Sequence, residues 1–406
     1  MYAVAVSTTG AAMGEPGAEG VGEASEGVPS RVDEDWDIVM GVLPSGWEAK
    51  ATELGAIRRL RGFDSVQAML RVLLIHLVDG CSLRQTAARA RAGGLADVSD
   101  VALLNRLRGC GPWFEWMVRE LVGRTAAHVD DAAGAILAGR RLRLVDGSIV
   151  CEPGATGSTW RVHYSLDLAS LRCDEVHVTG ADEGESLTRF WVRPGEIIMA
   201  DRGFANRRGL RHVLLSGGDV LMRMNLTNLP LEDERGKPLD VLVRLRTLAC
   251  EQAGDWTAIA RDEHGTMPVR VCAYKKSAVQ AQSSQDKLRR QAAEDKRSLM
   301  PQTLEAAAYV IVVTTLMQPG AGALMELYRR RWQIELAFKR LKSLLQLGHL
   351  RKTDPEGAKA WLQGKVLAAC LIEQLILIGE RFSPWGYLAA QPGEALTRPA
   401  ATLTLA

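Results

Sequence analysis

Apolar positions change their period twice along this chain, and each change marks an architectural boundary. Ser65–Val78 is amphipathic with helical spacing, and Ser82–Ala92 and Ser99–Arg108 are two shorter helical stretches. Gly93-Gly94 falls in the break between that pair, and Ser99 is suited to N-cap the second. At Arg141 the period drops to two. Arg141–Val145 reads as a strand running into an Asp146-Gly147 turn, and Trp160–Leu168 and Glu175–Thr179 complete a three-strand meander. Glu185–Val192 reads as a short helix. Glu196–Ala200 is a compact apolar strand ending at Asp201-Arg202-Gly203-Phe204, Arg207–Leu215 is helical, and Asp219–Met224 is a fifth strand. Five strands and helices in that order predict a mixed α/β sheet. Further on, Asp255–Arg261, Met267–Tyr274 and Ala308–Thr314 are strand candidates around Ser277–Ser298, a charged stretch expected to form an exposed helix. They predict a largely β insertion before the helical pattern resumes near Leu324.

The domain organisation expected from these changes has six segments. Residues 1–30, mostly Gly, Ala, Glu and Ser, form a disordered tail. Residues 31–135 are a helical N-terminal domain, and 136–225 the first part of an α/β core. Residues 226–315 are the β-rich insertion, 316–390 the second part of the core with C-terminal helices, and 391–406 a tail. The most apolar late run, Val366–Ile378, is interrupted by Glu373 and Gln374 and is expected to be too short to span a bilayer. No basic stretch followed by an apolar one opens the chain, so a cytoplasmic location is expected.

Composition changes this picture at one place. The 406 residues are 47% hydrophobic and 24% charged, ordinary for a globular protein. The net charge of +2 is unevenly spread: residues 328–352 hold eight Arg or Lys against one Glu. Such a cluster suits a polyanion or a solvated basic helix. In the N-terminal helical pair, Arg84, Arg89, Arg91, Arg106 and Arg108 suit the phosphates of a helix-turn-helix site, with a structural hairpin as the equal alternative. Seven cysteines without a C-x2-C pair exclude a zinc ribbon and fit a reducing compartment. The absence of H-E-x2-H and of G-x4-G-K-S/T disfavours a zinc hydrolase and a P-loop NTPase.

The chemistry concentrates in Tyr328-Arg-Arg-Arg331-Trp-Gln-Ile-Glu335-Leu-Ala-Phe-Lys-Arg-Leu-Lys342, which reads as one uninterrupted helix. At about 100° per residue, Tyr328, Arg331, Glu335 and Lys342 fall within roughly 60° on one face. Ile334, Phe338, Leu341 and Leu345 form the neighbouring apolar stripe. One carboxylate among two cations and a phenol suits phosphate handling. Upstream, Asp146 and Asp201 each end an apolar strand, the edge of an α/β sheet where ligand sites concentrate. A carboxylate beside the core is costly unless paired or metal-bound. Hard oxygen ligands suit Mg²⁺ or Mn²⁺, and two such ions about 3.5–4 Å apart support in-line phosphoryl transfer.

These three segments resemble the DDE transposases of bacterial insertion sequences, specifically the insertion-sequence-4 family with its Y-R-E-K signature. The resemblance covers about residues 140–350, and Trp160-Arg-Val-His163 is similar to that family's second strand. It implies a ribonuclease H-like fold interrupted by a β-rich insertion, with Asp146, Asp201 and Glu335 as the metal-binding triad. It implies that Tyr328, Arg331 and Lys342 contact the DNA backbone and that two Mg²⁺ ions, or Mn²⁺ in their place, serve cut-and-paste transposition through a hairpin. Arg223, with Asn225, looks like a DNA-contact segment of that family. Trp256 is in place to stack on a flipped base, or more simply to pack in a core. The implied partners are double-stranded DNA, as element ends and target, and a second copy of the chain in the DNA complex, in a nucleoid-associated setting. Two readings stand beside this one: a metal-dependent nuclease of the same fold that does not join strands, and a domesticated DNA-binding regulator. An intact triad argues against the second. A glycosidase carboxylate pair would leave Arg331 and Lys342 unexplained.

Overall fold

The computed structural model describes residues 31–126, 139–154, 159–348, 350 and 353–381. Both expected tails, and Arg351 and Lys352 of the basic cluster, lie outside the described residues. Among the described residues the chain divides into two compact units after Gly41, at the end of α1 (Arg31–Val42). The helical region continues with α2 (Trp47–Glu53), α3 (Val66–Val78), α4 (Leu83–Ala92), α5 (Asp100–Gly109) and α6 (Gly111–Ala126). Its starts are set by side-chain caps. Ser65 and Ser99 accept from Ala68 and Ala102 amides at 3.0 and 3.1 Å, and Ser82 forms a reciprocal capping box with Gln85.

The α4–α5 pair turns at Gly94, whose φ of 65° is open to glycine without strain. Each of its five arginines has a partner. Arg89 pairs with Asp79 at 2.9 Å, Arg91 with Asp97 at 2.7 Å, Arg84 with Asp100 at 3.5 Å and Arg108 with Asp354 at 2.9 Å. Arg106 donates to the Arg59 carbonyl. These contacts tie the pair to its neighbours while Arg84, Arg89 and Arg91 stay largely exposed.

The rest of the fold is one mixed sheet and its helices. In chain order these are β1 (Leu142–Val150), β2 (Trp160–Asp167), β3 (Arg172–Gly180), β4 (Ile197–Ala200), α7 (Arg207–Leu215), β5 (Asp219–Arg223) and α8 (Val241–Arg246). They are followed by β6 (Ala253–Asp262), β7 (Gly265–Lys275), α9 (Ala278–Glu294), α10 (Pro301–Ala306), β8 (Tyr309–Thr314), α11 (Ala321–Arg329), α12 (Trp332–Leu344) and α13 (Pro355–Arg381). The strand order is β3-β2-β1-β4-β5-β8-β7-β6. β1, β4 and β5 are mutually parallel, and every other neighbouring pair is antiparallel. β4 is buried at all four positions, as a central strand covered on both faces should be. The apolar cluster over one face draws Ile198 and Ala200 from β4, Val220 and Met222 from β5, and Leu210 and Val213 from α7. It continues without a break onto Val269, Val271 and Ala273 of β7.

Five expectations need correction. The strand ending at Val145 runs through Asp146-Gly147 instead of turning, because β2 offers Tyr164 and His163 as ladder partners. The helix expected at Glu185–Val192 shrinks to a single 3-10 turn, Leu187–Arg189, capped by Ser186. The strands of the 226–315 insertion do not make a sheet of their own; β6 and β7 extend the core sheet through β8. Tyr328–Lys342 is two helices, not one. The Arg330 and Arg331 amides donate three residues back, to Leu327 and Tyr328 at 3.0 Å each, which tightens the chain between α11 and α12. Finally, Val366–Ile378 belongs to the 27-residue α13, whose Pro355–Gly379 stretch is by length and composition long enough to cross a membrane. Half of that window is buried within the fold, where α13 packs on α3, α5, α6 and β3. Its Lys365 is 1% exposed and lies over the Trp361 ring at 4.9 Å.

An ion-pair lattice locks the N-terminal ends of β1 and β4. Arg141 reaches Asp167, Asp174 and Glu196 at 2.6, 2.8 and 2.8 Å, and Arg143 reaches Asp174 and Glu175 at 2.6 and 2.7 Å. Each acid there has a short partner, which offsets its desolvation. The C-terminal ends of the same two strands are different.

Candidate active site

The last parallel pair between β1 and β4 is Val145 with Ala200. Asp146 and Asp201 are the next residues on each strand, so backbone register alone sets the two carboxylates side by side. β1 continues as a strand beyond this point, whereas β4 ends and Asp201 opens a 3-10 turn, Arg202–Phe204. Glu335 arrives from α12. The apolar stripe of that helix is buried, with Ile334, Phe338, Leu341 and Leu345 all 7% exposed or less. Phe338 packs on Tyr164 of β2 with ring centroids 5.6 Å apart, and Tyr164 is the cross-strand partner of Asp146. Core packing on one face of α12 thereby carries Glu335, on its polar face, to the strand ends.

Arg331 joins the three segments. Its Nη1 lies 3.5 Å from Asp146 Oδ2, and its Nη2 donates to Glu335 Oε1. Burial lowers its own pKa, but Tyr328, Asp201, Asp146 and Glu335 together outweigh this and raise it. The Tyr328 hydroxyl donates to the Ala200 carbonyl at 3.3 Å. Tyr328 is 7% exposed, so the structure places it beneath the site, tying α11 to the end of β4. Burial pushes its phenol well up, reinforced by Asp201. Burial also pushes the Asp146 carboxyl up to about 6; the Gly147 amide and Arg331 oppose this, while Asp201 and Glu185 add to it.

Lys342 is exposed and lines one groove with Glu335, Ser148, Phe338, Lys339 and Ser343. Arg223, at the end of β5, lines a cleft of about 440 Å³ with Asp201, Arg202, Asn225, Lys276 and Lys287. Trp256 of β6 packs against the sheet core, its ring directly over Gly254, where an added β-carbon would overlap it. Six of the eight residues singled out from the sequence therefore converge on one place: Asp146, Asp201, Glu335, Arg331, Tyr328 and Lys342. Arg223 borders it through the cleft. Trp256 sits in hydrophobic packing. Glu185, not singled out from the sequence, stands near the same strand ends, where its charge acts on Asp146.

Among the described residues no three His, Cys, Asp or Glu side chains converge closely enough to grip one ion. Arg331 stands between Asp146 and Glu335, with a guanidinium nitrogen directed at each. The donor set nevertheless fits a hard divalent cation. Asp201 Oδ1 is buried with no hydrogen-bond partner, an expensive condition for a carboxylate oxygen. Asp146 and Asp201 repel each other in the absence of a shared cation.

Residues 179–371 match the family model described as transposase DDE domain. The chain is 33% identical over 361 residues to the putative transposase InsL for insertion sequence element IS186A of Escherichia coli (strain K12), covering 86% of this chain and 96% of that protein. It is also 33% identical over 362 residues to the transposase for insertion sequence element IS421 of Escherichia coli, with the same coverage.

Proposed function

The chain belongs to the DDE transposases of bacterial insertion sequences and is a DNA transposase of the insertion-sequence-4 kind, and from that premise we propose that Asp146, Asp201 and Glu335 carry out cleavage and strand transfer at the ends of its element. The observation that carries the reading is the juxtaposition of Asp146 and Asp201 past the Val145–Ala200 pair, with Glu335 linked to them through Arg331. The order β3-β2-β1-β4-β5 with three parallel central strands supports a ribonuclease H-like core, with residues 226–315 as the insertion extending it.

Asp146, Asp201 and Glu335 would hold divalent metal, Mg²⁺ by the hardness of the donors. Bound metal would supply Lewis acidity toward a phosphoryl oxygen and toward the attacking hydroxyl. The protein's own residues do the rest. Arg331, buried beside Asp146, is placed to move from neutralising carboxylates to neutralising a scissile phosphate. Tyr328 fixes the backbone from which Asp201 projects. Lys342 and Lys339 give the groove beside Glu335 two cations for the phosphates flanking the cleaved bond. Arg223, Lys276 and Lys287 offer a second cationic path on the Asp201 side. Joining two ends and a target calls for two copies on DNA, and an excised end closed as a hairpin fits a protein that retains its liberated 3′-hydroxyl.

The test uses the full-length protein, Mg²⁺, a duplex bearing the element end and a supercoiled plasmid. The expected outcome is a hairpin on a denaturing gel and covalent joining of end to plasmid. Asp146→Ala, Asp201→Ala and Glu335→Ala should each abolish cleavage while duplex binding persists. Retained cleavage by Asp146→Ala would sink the assignment. Efficient cleavage giving only free linear products would identify a nuclease.

A further inference from the structure

A groove of about 950 Å³ lies where the segment after α2, the end of α5, the start of α6 and the first turns of α13 meet. It shares no residue with the carboxylate site. Five cations line it, Arg58, Arg61, Arg106, Arg108 and Lys359, against two acids, Glu115 and Glu356. The cations come from three stretches of chain that only the tertiary fold brings together. Like charges gathered on a concave surface repel one another unless an anion sits among them.

Pairing within the groove separates fixed cations from free ones. Arg108 donates to Asp354 Oδ1 at 2.9 Å, and the same oxygen accepts from the Gly357 amide at 2.7 Å, capping α13. Arg106 donates to the Arg59 carbonyl at 2.8 Å and lies over the Phe63 ring. These two arginines tie α5 to both walls of the groove. Glu115 is engaged by the Gln363 amide at 2.8 Å and by Arg119 at 3.8 Å. Glu356 stands in the first turn of α13, where the helix dipole favours an acid. Arg58, Arg61 and Lys359 are exposed and, among the described residues, have no ion-pair partner. Three free cations thus face a groove whose frame is already locked.

The lining selects the kind of anion. Among the described residues that form it none is aromatic, so it offers no platform on which an unpaired base could stack. At Gly55 and Gly109 the lining is bare main chain, packed so closely that a β-carbon at Gly109 would stand 3.5 Å from the Gly55 carbonyl oxygen. Spaced cations without a stacking partner match the phosphates of a duplex backbone, which is held by charge. We propose that this groove is a second DNA contact, in which Arg58, Arg61 and Lys359 each take a phosphate of duplex DNA outside the carboxylate site. The inference rests on the reading of the chain as acting on duplex DNA. It divides the arginines of the α4–α5 pair: Arg106 and Arg108 frame the groove, while Arg84, Arg89 and Arg91 lie outside it. Phosphate contacts position a duplex without reading its sequence, so the groove holds any duplex alike.

The experiment follows binding of the full-length protein to fluorescently labelled duplexes by anisotropy across a salt series. One duplex carries the element end and the other an unrelated sequence. The combined variant Arg58→Ala, Arg61→Ala and Lys359→Ala should weaken both to the same extent. It should flatten the slope of log affinity against log salt by about 2.7, three phosphates at about 0.9 each. If the combined variant does not fold, the three single variants decide, each flattening the slope by about 0.9. Unchanged slopes in the groove variants, with wild-type protein binding and cleaving the element end, overturn this proposal and leave the transposase reading standing. A slope lost instead in the combined variant Arg84→Ala, Arg89→Ala and Arg91→Ala places the duplex on α4 and overturns it too. Wild-type protein that binds neither duplex at any salt sinks the DNA reading itself, and this proposal with it.

Discussion

Arg331 Nη1 stands 3.5 Å from Asp146 Oδ2 although 185 residues separate them in the chain. The contact occupies the position where a cation must sit if Asp146 and Glu335 are to act together. Arginine serves here as an internal counterion for a cluster of acids that burial and mutual repulsion disfavour.

Removing Arg331 should therefore cost more stability without metal than with it. Arg331→Ala is expected to melt at lower temperature than wild type in EDTA, because a pair with Asp146 that is largely buried loses one member. Saturating Mn²⁺ should restore most of the loss, while DNA cleavage falls by at least a hundredfold. A melting temperature unchanged in EDTA would show that Arg331 is not the counterion.

Tyr328 acts from below the site. Tyr328→Phe deletes the donor to the Ala200 carbonyl and keeps the ring, which should cost about 1 kcal/mol of stability. If its task is to hold the end of β4, the turnover rate should fall with affinity for the DNA end unchanged. A loss of end affinity at wild-type turnover would instead return Tyr328 to the DNA-contacting role implied by resemblance.

Lys342 is exposed in the groove beside Glu335, and Lys342→Ala should weaken binding of an element-end duplex. Each phosphate contact contributes about 0.9 to the slope of log affinity against log salt on duplex DNA, so the slope should flatten by about that amount. An unchanged slope would make Lys342 a plain surface residue.

Glu373 supplies a pH signature away from the site. Burial pushes its carboxyl up to about 7, and the Cys173 amide, Arg172 and the Tyr164 hydroxyl only partly oppose this. The folded protein thus holds a proton there that the unfolded chain releases near its ordinary carboxylate value. That contribution to stability is complete below about 4.5 and is lost as pH rises through about 7. Glu373→Gln should be more stable than wild type at pH 8, by about 1–3 kcal/mol, with the gap closing toward pH 4.5. Urea unfolding at the two pH values checks this, and a pH-independent gap would refute it.

The sequence by itself determined what depends on short spans. Ser65, Ser82 and Ser99 marked helix starts because a cap bonds to an amide three residues away. The stripe of Ile334, Phe338, Leu341 and Leu345 marked the buried face of α12, since period alone assigns faces on a helix. The Y-R-E-K spacing with two strand-end aspartates identified the family and picked out six residues that the fold brings together. What needed the tertiary structure were relations between distant segments. The sheet continues from β5 to β8, β7 and β6, because open ladder groups on β5 find partners more than 80 residues later. β1 runs through Asp146-Gly147 because β2 is there to pair with it, a fact no turn propensity contains. The break after Arg329 lies between residues that both keep helical dihedrals, so no breaker residue announced it.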